Sequence, residues 1–166
     1  MAESAVYLGL GSNLGDRNRS IRKAIELLSD RVHMEQVSSI YETDPVGYDH
    51  QPRFLNAVCR VRTSLEPNEV LTLVKEIEST LGRETTFRNG PRTIDIDILF
   101  HDDKVIDTTQ MTVPHPRLEE RPFVLVPLAE LAPDLVHPIS RKSITELMSG
   151  MTLNGIERWN GEGKDV

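Results

Sequence analysis

Two aspartates interrupt the most apolar part of residues 90–100, GPRTIDIDILF. Because strand side chains alternate between faces, Asp95 and Asp97 share one face and the three isoleucines of the run share the other. Carboxylates are rarely buried unless paired, and two of them roughly 6–7 Å apart repel each other by roughly 2–3 kcal/mol. Mg²⁺ commonly binds one or two carboxylates together with substrate phosphates. The pattern therefore predicts a magnesium site.

Three arginines lie shortly before these aspartates, in a polar loop that ends at Gly90-Pro91. They are Arg83, Arg88 and Arg92. A solvated loop is the simplest interpretation, but the planar guanidinium matches phosphate oxygens in a bidentate manner. The net charge of −7 argues against a general nucleic-acid binder. A local cationic cluster on an acidic protein therefore favours a small phosphate-bearing ligand.

Two other stretches could contact such a ligand. Residues 9–16, GLGSNLGD, resemble a phosphate-binding loop but lack its G-K-[ST] ending. A tight strand-to-helix turn is an equally good interpretation, and the glycines could also let a flat ligand approach the backbone. His115 lies between two prolines that restrain its backbone, and its imidazole could donate to a phosphate oxygen. A zinc site is not expected, because no Cys/His set has ligand spacing.

The elements that would position these residues follow a β-α-β-β-α-β order. Apolar periodicity and turn residues predict four strands at 5–11, 36–43, 53–64 and 93–100, with a helix that begins near a cap at Asp16 and another at 67–81. This is the ferredoxin-like pattern of an α+β protein, with an antiparallel sheet and helices packed on it. Loops would cover the face that carries the aspartates.

The C-terminal third predicts a short hairpin and further helical segments. Residues 101–107 and 110–115 read as a hairpin or edge pair, and residues 116–134 as one or two short helices broken by Pro122 and Pro127. A last short helix follows near residues 143–150. We expect one domain over residues 1–160 and a disordered tail over 161–166.

Composition fits a globular cytoplasmic protein. No apolar run approaches the roughly 20 residues of a membrane span, and the N-terminus does not resemble a secretory signal. Cys59 is the only cysteine, so no internal disulfide can form, and its apolar strand face favours a core thiol.

Taken together, four stretches of the chain closely resemble the 6-hydroxymethyl-7,8-dihydropterin pyrophosphokinase family. They are LGLGSNLGDR, SSIYETDPVGYDHQPRFLNAV, GRETTFRNGPRTIDIDILF and MTVPHPRLEERPFVLVPLAELAP, which span residues 6 to about 138. The third is the most specific, because the loop arginines, G-P-R and D-x-D occur in one run.

This resemblance implies transfer of pyrophosphate from ATP to the hydroxymethyl group of a reduced pterin in folate biosynthesis, with release of AMP. It implies a monomer with ATP and the pterin as its small-molecule substrates, and no nucleic-acid or membrane partner. Asp95 and Asp97 would hold two Mg²⁺ ions, and the catalytic arginines would be Arg83 and Arg92. The ATP-binding residues would be Lys75, Glu78, Arg88, Ile98, Thr112, His115 and Arg121. The pterin-binding residues would be Thr43, Phe54, Asn56 and Phe123.

The chain departs from the family pattern at a few positions. Phe54 stands where a tyrosine is common, which keeps an aromatic ring but loses a hydroxyl. Asn89 stands where some relatives have a tryptophan, and the loop at 82–91 is short. Lys75 replaces a neutral amide found in some relatives.

Two other functional classes stay open at this point. A polymerase-like nucleotidyltransferase also uses D-x-D on a sheet, but its G-S turn comes shortly before the aspartates, whereas Gly11-Ser12 here lies more than 80 residues upstream. A non-catalytic ligand-sensing or RNA-binding module is the second, and the acidic charge and the aspartates on the central strand disfavour RNA binding.

Overall fold

The computed structural model describes residues 2–44, 50–82 and 93–160. Six strands form the main sheet, in the order β5–β1–β4–β3–β8, and β2 also pairs with β4. Every pairing is antiparallel. The strands are β1 Ser4–Ser12, β2 His33–Val37, β3 Tyr41–Thr43, β4 Phe54–Thr63, β5 Asp95–His101 and β8 Ile156–Arg158. The six elements of the predicted pattern occur in the predicted order, with the second strand divided in two, and they confirm the ferredoxin-like core.

Two helices cover one face of this sheet, α1 Arg17–Ser29 and α2 Pro67–Thr80. Asp16 caps α1 as predicted, because its side chain accepts a hydrogen bond from the Arg19 N–H at 3.1 Å. Pro67 occupies the first turn of α2, where its missing N–H has no cost. The apolar stripes of both helices pack on the sheet in one buried cluster.

The opposite face carries a second core, and here the expectation of a loop cover was wrong. Helix α3, Pro122–Leu131, and helix α4, Ile144–Met148, pack there with a buried cluster that includes Phe100 and Leu125. Pro127 lies inside α3 and does not break it. A proline removes one N–H donor, and burial of the apolar α3 side chains compensates for that loss.

Two further differences concern the edge beside β4. The predicted strand 36–43 is divided into β2 and β3, because Ser38 leaves the ladder and its hydroxyl accepts a hydrogen bond from the Val58 N–H at 2.9 Å. The short strand β8 was not predicted, and it extends the sheet beyond β3.

The hairpin is confirmed as β6 Ile106–Asp107 paired with β7 Thr112–Val113. In the described ranges, no helix is long and apolar enough to cross a membrane.

Candidate active site

Strand β5 presents the two aspartates as alternation predicted. Ile94, Ile96 and Ile98 are 0%, 5% and 6% exposed and lie in the core beneath α1 and α2. Asp95 and Asp97 point to the other face, where each pairs directly with a glycine of β1. Because the glycines carry no side chain, the backbone of β1 itself lines the pocket beside the carboxylates.

Glu78 of α2 fixes the strand between the aspartates. Its side chain is only 6% exposed, and Oε2 accepts a hydrogen bond from the Ile96 N–H at 2.8 Å. Among the described residues, β5 pairs only with β1, so this N–H on its other side has no neighbouring strand to bind. Glu78 therefore satisfies a buried donor and sets the position of β5 at the point where both carboxylates leave it.

Asp97 lies beside the side chains of His115 and Arg121. His115 Nε2 is 3.9 Å from Asp97 Oδ1, and Arg121 Nη1 is 3.8 Å from Asp97 Oδ2. The Arg121 guanidinium also lies 5.7 Å from the centroid of the Phe123 ring. These contacts place the two groups predicted to bind phosphate within reach of a ligand held at Asp97.

His115 is a neutral donor in this setting. Burial, followed by the positive charges of Arg121 and Arg117, lowers the pKa of His115 to about 4. The neighbouring Asp97 favours the imidazolium, but burial and two arginines outweigh a carboxylate at 3.9 Å. Nδ1 accepts a hydrogen bond from the Arg117 N–H at 3.2 Å. The proton therefore lies on Nε2, which faces Asp97.

A pocket of about 120 Å³, here called the central pocket, opens on the face of the sheet beneath α3. It brings together the four residues predicted to bind the pterin, both aspartates and Arg121. Its lining includes Gly9, Gly11, Thr43, Asp44, Phe54, Asn56, Asp95, Asp97, Arg121 and Phe123. Two aromatic rings and a few convergent polar groups are typical of a site for a flat heterocycle.

The polar end of the central pocket is held in place by contacts within the sheet. Asn56 Nδ2 donates to Thr43 Oγ1 at 2.6 Å, and Thr43 is 2% exposed. A Cβ on Gly11 would lie 2.9 Å from Asn56 Oδ1. Only glycine at this position lets the Asn56 amide occupy its observed place. Gly9 and Gly11 of the glycine-rich stretch therefore lie in β1 and line the pocket, while Gly15, at φ +72°, makes the turn into α1.

A second, wider pocket of about 350 Å³, here called the edge pocket, lies on the other side of β5. It contains the other described residues predicted to bind ATP. Its lining includes Lys75, Glu78, Asp95, Asp97, Ile98, Thr108, Met111, Thr112, His115 and Pro116. Both pockets are lined by the same two aspartates, because β5 separates them at the edge of the sheet.

Some parts of the site lie outside the predictions or outside the structure. Arg83, Arg88 and Arg92 lie outside the described residues, so their predicted roles stay predictions. Asp44 lines the central pocket and was not predicted. The only signal for it was its place beside Pro45, where a strand ends and a loop begins.

The donor set fits Mg²⁺ that arrives with a nucleotide. Within residues 2–44, 50–82 and 93–160, no three His, Cys, Asp or Glu side chains are grouped to hold a metal ion. Asp95 and Asp97 offer carboxylate oxygens, the type of donor that Mg²⁺ prefers. Mg²⁺ in phosphoryl-transfer sites is usually bound in this way, with phosphates and water as its other ligands.

Comparison with known proteins identifies the family of the chain. The model of the 7,8-dihydro-6-hydroxymethylpterin-pyrophosphokinase (HPPK) family matches residues 7–133. The 2-amino-4-hydroxy-6-hydroxymethyldihydropteridine pyrophosphokinase of Aquifex aeolicus is 47% identical over 150 residues, covering 90% of this chain and 94% of that protein. The enzyme of the same name from Bacillus subtilis is 53% identical over 127 residues, covering 75% and 76%.

Solved structures support the fold. A crystal structure of HPPK-DHPS in complex with substrates has a TM-score of 0.70 at 16% identity. The similarity covers 89% of this chain and 42% of that longer one. The family match and the bacterial relatives together show that the chain belongs to the HPPK family.

Proposed function

We propose that the protein transfers the β,γ-diphosphate of ATP to the hydroxymethyl group of 6-hydroxymethyl-7,8-dihydropterin and releases AMP. As an HPPK family member it is an ATP-dependent diphosphotransferase of folate biosynthesis. One observation carries the finer proposal: Asp95 and Asp97 line both the central and the edge pocket. Ligands in the two pockets would meet at one pair of carboxylates, as transfer between two substrates requires.

The central pocket is the proposed pterin site. Phe54 and Phe123 offer rings on which a flat bicycle can stack, with a gain of about 0.5–1.5 kcal/mol for each aromatic pair. The Asn56 amide, held against Thr43, offers a donor and an acceptor to the polar edge of the pterin. The absence of a side chain at Gly11 lets the substrate lie close to the sheet.

The edge pocket is the proposed ATP site. Ile98 and Thr112 would contact the adenine, while Lys75 and Glu78 on α2 border the nucleotide. The triphosphate would then extend along β5 toward the aspartates. Arg83, Arg88 and Arg92 are proposed to contact it from the preceding loop.

Asp95 and Asp97 are the proposed ligands of two Mg²⁺ ions. When bound, Mg²⁺ would neutralise charge on the triphosphate and favour ionisation of the attacking hydroxyl. The protein side chains act by positioning the phosphate groups of the substrate. His115 Nε2–H can donate to a phosphate oxygen without adding a full charge, and the Arg121 guanidinium can bind another.

The reaction is proposed to be an in-line attack. The pterin hydroxyl oxygen forms a bond with the β-phosphorus, its proton is lost to solvent, and the bond from the β-phosphorus to the bridging oxygen of AMP breaks. Such transfer needs positioning and charge stabilisation more than covalent chemistry from the protein. Strand β5, fixed by Glu78, supplies that positioning.

We further propose that the protein acts as a monomer in the cytoplasm. A single cysteine, buried in the core, leaves the fold with no disulfide to maintain. Sedimentation equilibrium should give a mass near the 18.7 kDa of one chain. A stable dimer would contradict the proposed oligomeric state.

The experiment that tests the function is incubation with Mg²⁺, ATP and 6-hydroxymethyl-7,8-dihydropterin. AMP and the pterin diphosphate should form in equal amounts. Release of pyrophosphate would instead indicate nucleotidyl transfer, and binding of both ligands without any turnover would indicate a sensing module.

A further inference from the structure

Arg53 connects the rim of the central pocket to the C-terminal strand. It directly precedes Phe54, and its Nη2 donates to the carbonyl oxygens of Gly155 at 3.1 Å and Glu42 at 3.3 Å. Its Nε donates to Asp44 Oδ1 at 3.1 Å. One guanidinium therefore holds three segments together: the start of β4, the end of β3 and the start of β8.

Strand β8 makes an independent backbone contact with the same rim. The Asp44 N–H donates to the Gly155 carbonyl oxygen at 3.0 Å, directly after the ladder in which Thr43 pairs with Ile156. Gly155 has φ +80°, and a Cβ there would overlap the Asp44 carboxylate. The turn before β8 is thus fitted closely to Asp44.

This arrangement matters because β3 is only three residues long. A strand of this length has few ladder bonds of its own, so its position depends on its two neighbours, β4 and β8. Thr43 and Asp44, at its end, both line the central pocket. A shift of β3 would also move the partner of the Asn56 amide.

We propose that Arg53 and residues 155–158 form a brace that positions Thr43 and Asp44 for the flat substrate. Arg53 is a positioning residue in this arrangement, since it does not line either pocket. The C-terminal strand thereby helps to position the rim of the central pocket. This inference rests on the proposed function, because it assigns the central pocket to the pterin.

The direct test is Arg53→Gln, which removes the guanidinium and keeps a polar side chain. Loss of several charge-assisted hydrogen bonds at the rim should raise KM for the pterin roughly tenfold and leave KM for ATP within about twofold. Hydrogen exchange at residues 41–44 should become faster. Gly155→Ala should produce the same pattern from the other side of the brace.

The matched control is Arg62→Gln. Arg62 lies in β4, the strand that begins directly after Arg53, and its Nε donates to Glu35 Oε2 at 2.8 Å, but it lines neither pocket. It should leave both KM values and exchange at residues 41–44 unchanged. The brace is refuted if Arg53→Gln matches this control, or if its two KM values rise by the same factor.

Failure of the proposed function gives a different result. Wild-type protein would then produce no AMP, whatever the variants do. Exchange at residues 41–44 still decides whether the brace holds β3, since that measurement requires no substrate.

Discussion

Removal of the Glu78 carboxylate should loosen the strand that carries both aspartates. Glu78→Ala deletes the acceptor 2.8 Å from the Ile96 N–H and leaves that donor buried. A buried donor without a partner costs about 1–3 kcal/mol. For a chain of this size, each 1 kcal/mol lowers Tm by about 2–4 °C. We therefore expect a fall of roughly 2–12 °C in Glu78→Ala.

Glu78→Gln separates the hydrogen bond from the charge. Its amide oxygen can still accept from the Ile96 N–H, so the loss should stay below about 1 kcal/mol. In both variants AMP release should need more Mg²⁺, and the effect should be larger for Ala, because the aspartates are then less well placed. Thermal melts and AMP release at several Mg²⁺ concentrations measure the two effects.

Glu76→Ala is the control on the same helix. Glu76 lies at the surface, with Oε2 3.5 Å from Arg31 Nη1, and exposed ion pairs of this kind contribute little. Equal melting temperatures for Glu78→Ala and Glu76→Ala would refute the reasoning. So would a Gln variant that loses as much stability as the Ala variant.

Three other predictions follow from the same contacts. Asp97→Asn should abolish AMP release. The melting temperature of this variant without Mg²⁺ should be unchanged or higher, because one of two like charges is gone. A near-normal rate of AMP release would contradict the proposed role of Asp97 as a Mg²⁺ ligand. Gly11→Ala should raise KM for the pterin more than KM for ATP, since its Cβ would lie 2.9 Å from Asn56 Oδ1; equal rises would argue against the pterin pocket. Burial raises the pKa of the Cys59 thiol to about 12, so it should react with a thiol reagent at pH 8 only after unfolding, and rapid labelling of the native protein would contradict its burial.

Strand β5 shows how far local pattern can predict this fold. Alternation was enough to place the isoleucines in the core and the aspartates on the opposite face. It fails after Ile98, where the register against β1 shifts so that Leu99 and Phe100 both join the second core. A bulge adds one residue to a strand without a local sequence signal, so period-two reasoning cannot locate it.

The elements that alternation and propensity missed depend on distant contacts. Strand β8 is only three residues long, and it is held by its pairing with β3 and by the hydrogen bond from Arg53 to the carbonyl oxygen of Gly155, directly before the strand. Helix α3 contains Pro127 because its apolar side chains are buried on the sheet. Both depend on tertiary partners, which no local window of sequence contains.

The structure brings the described residues of the predicted site together around Asp95 and Asp97, but the sequence did not indicate how they are arranged. The division into two pockets follows because, among the described residues, β5 pairs only with β1 and lies at the edge of the sheet. The hydrogen bond from the Ile96 N–H to Glu78 could not be predicted from the sequence either, because the helix and the strand meet there only after folding.

The most direct test of the central claim is the fate of the oxygen between the α- and β-phosphorus of ATP. ATP carrying ¹⁸O at that bridge should be turned over with Mg²⁺ and 6-hydroxymethyl-7,8-dihydropterin, and the products followed by the isotope shift in ³¹P NMR. Attack on the β-phosphorus at the shared aspartates predicts that all of the label appears in AMP. Label in the diphosphate product or in free pyrophosphate would contradict the account.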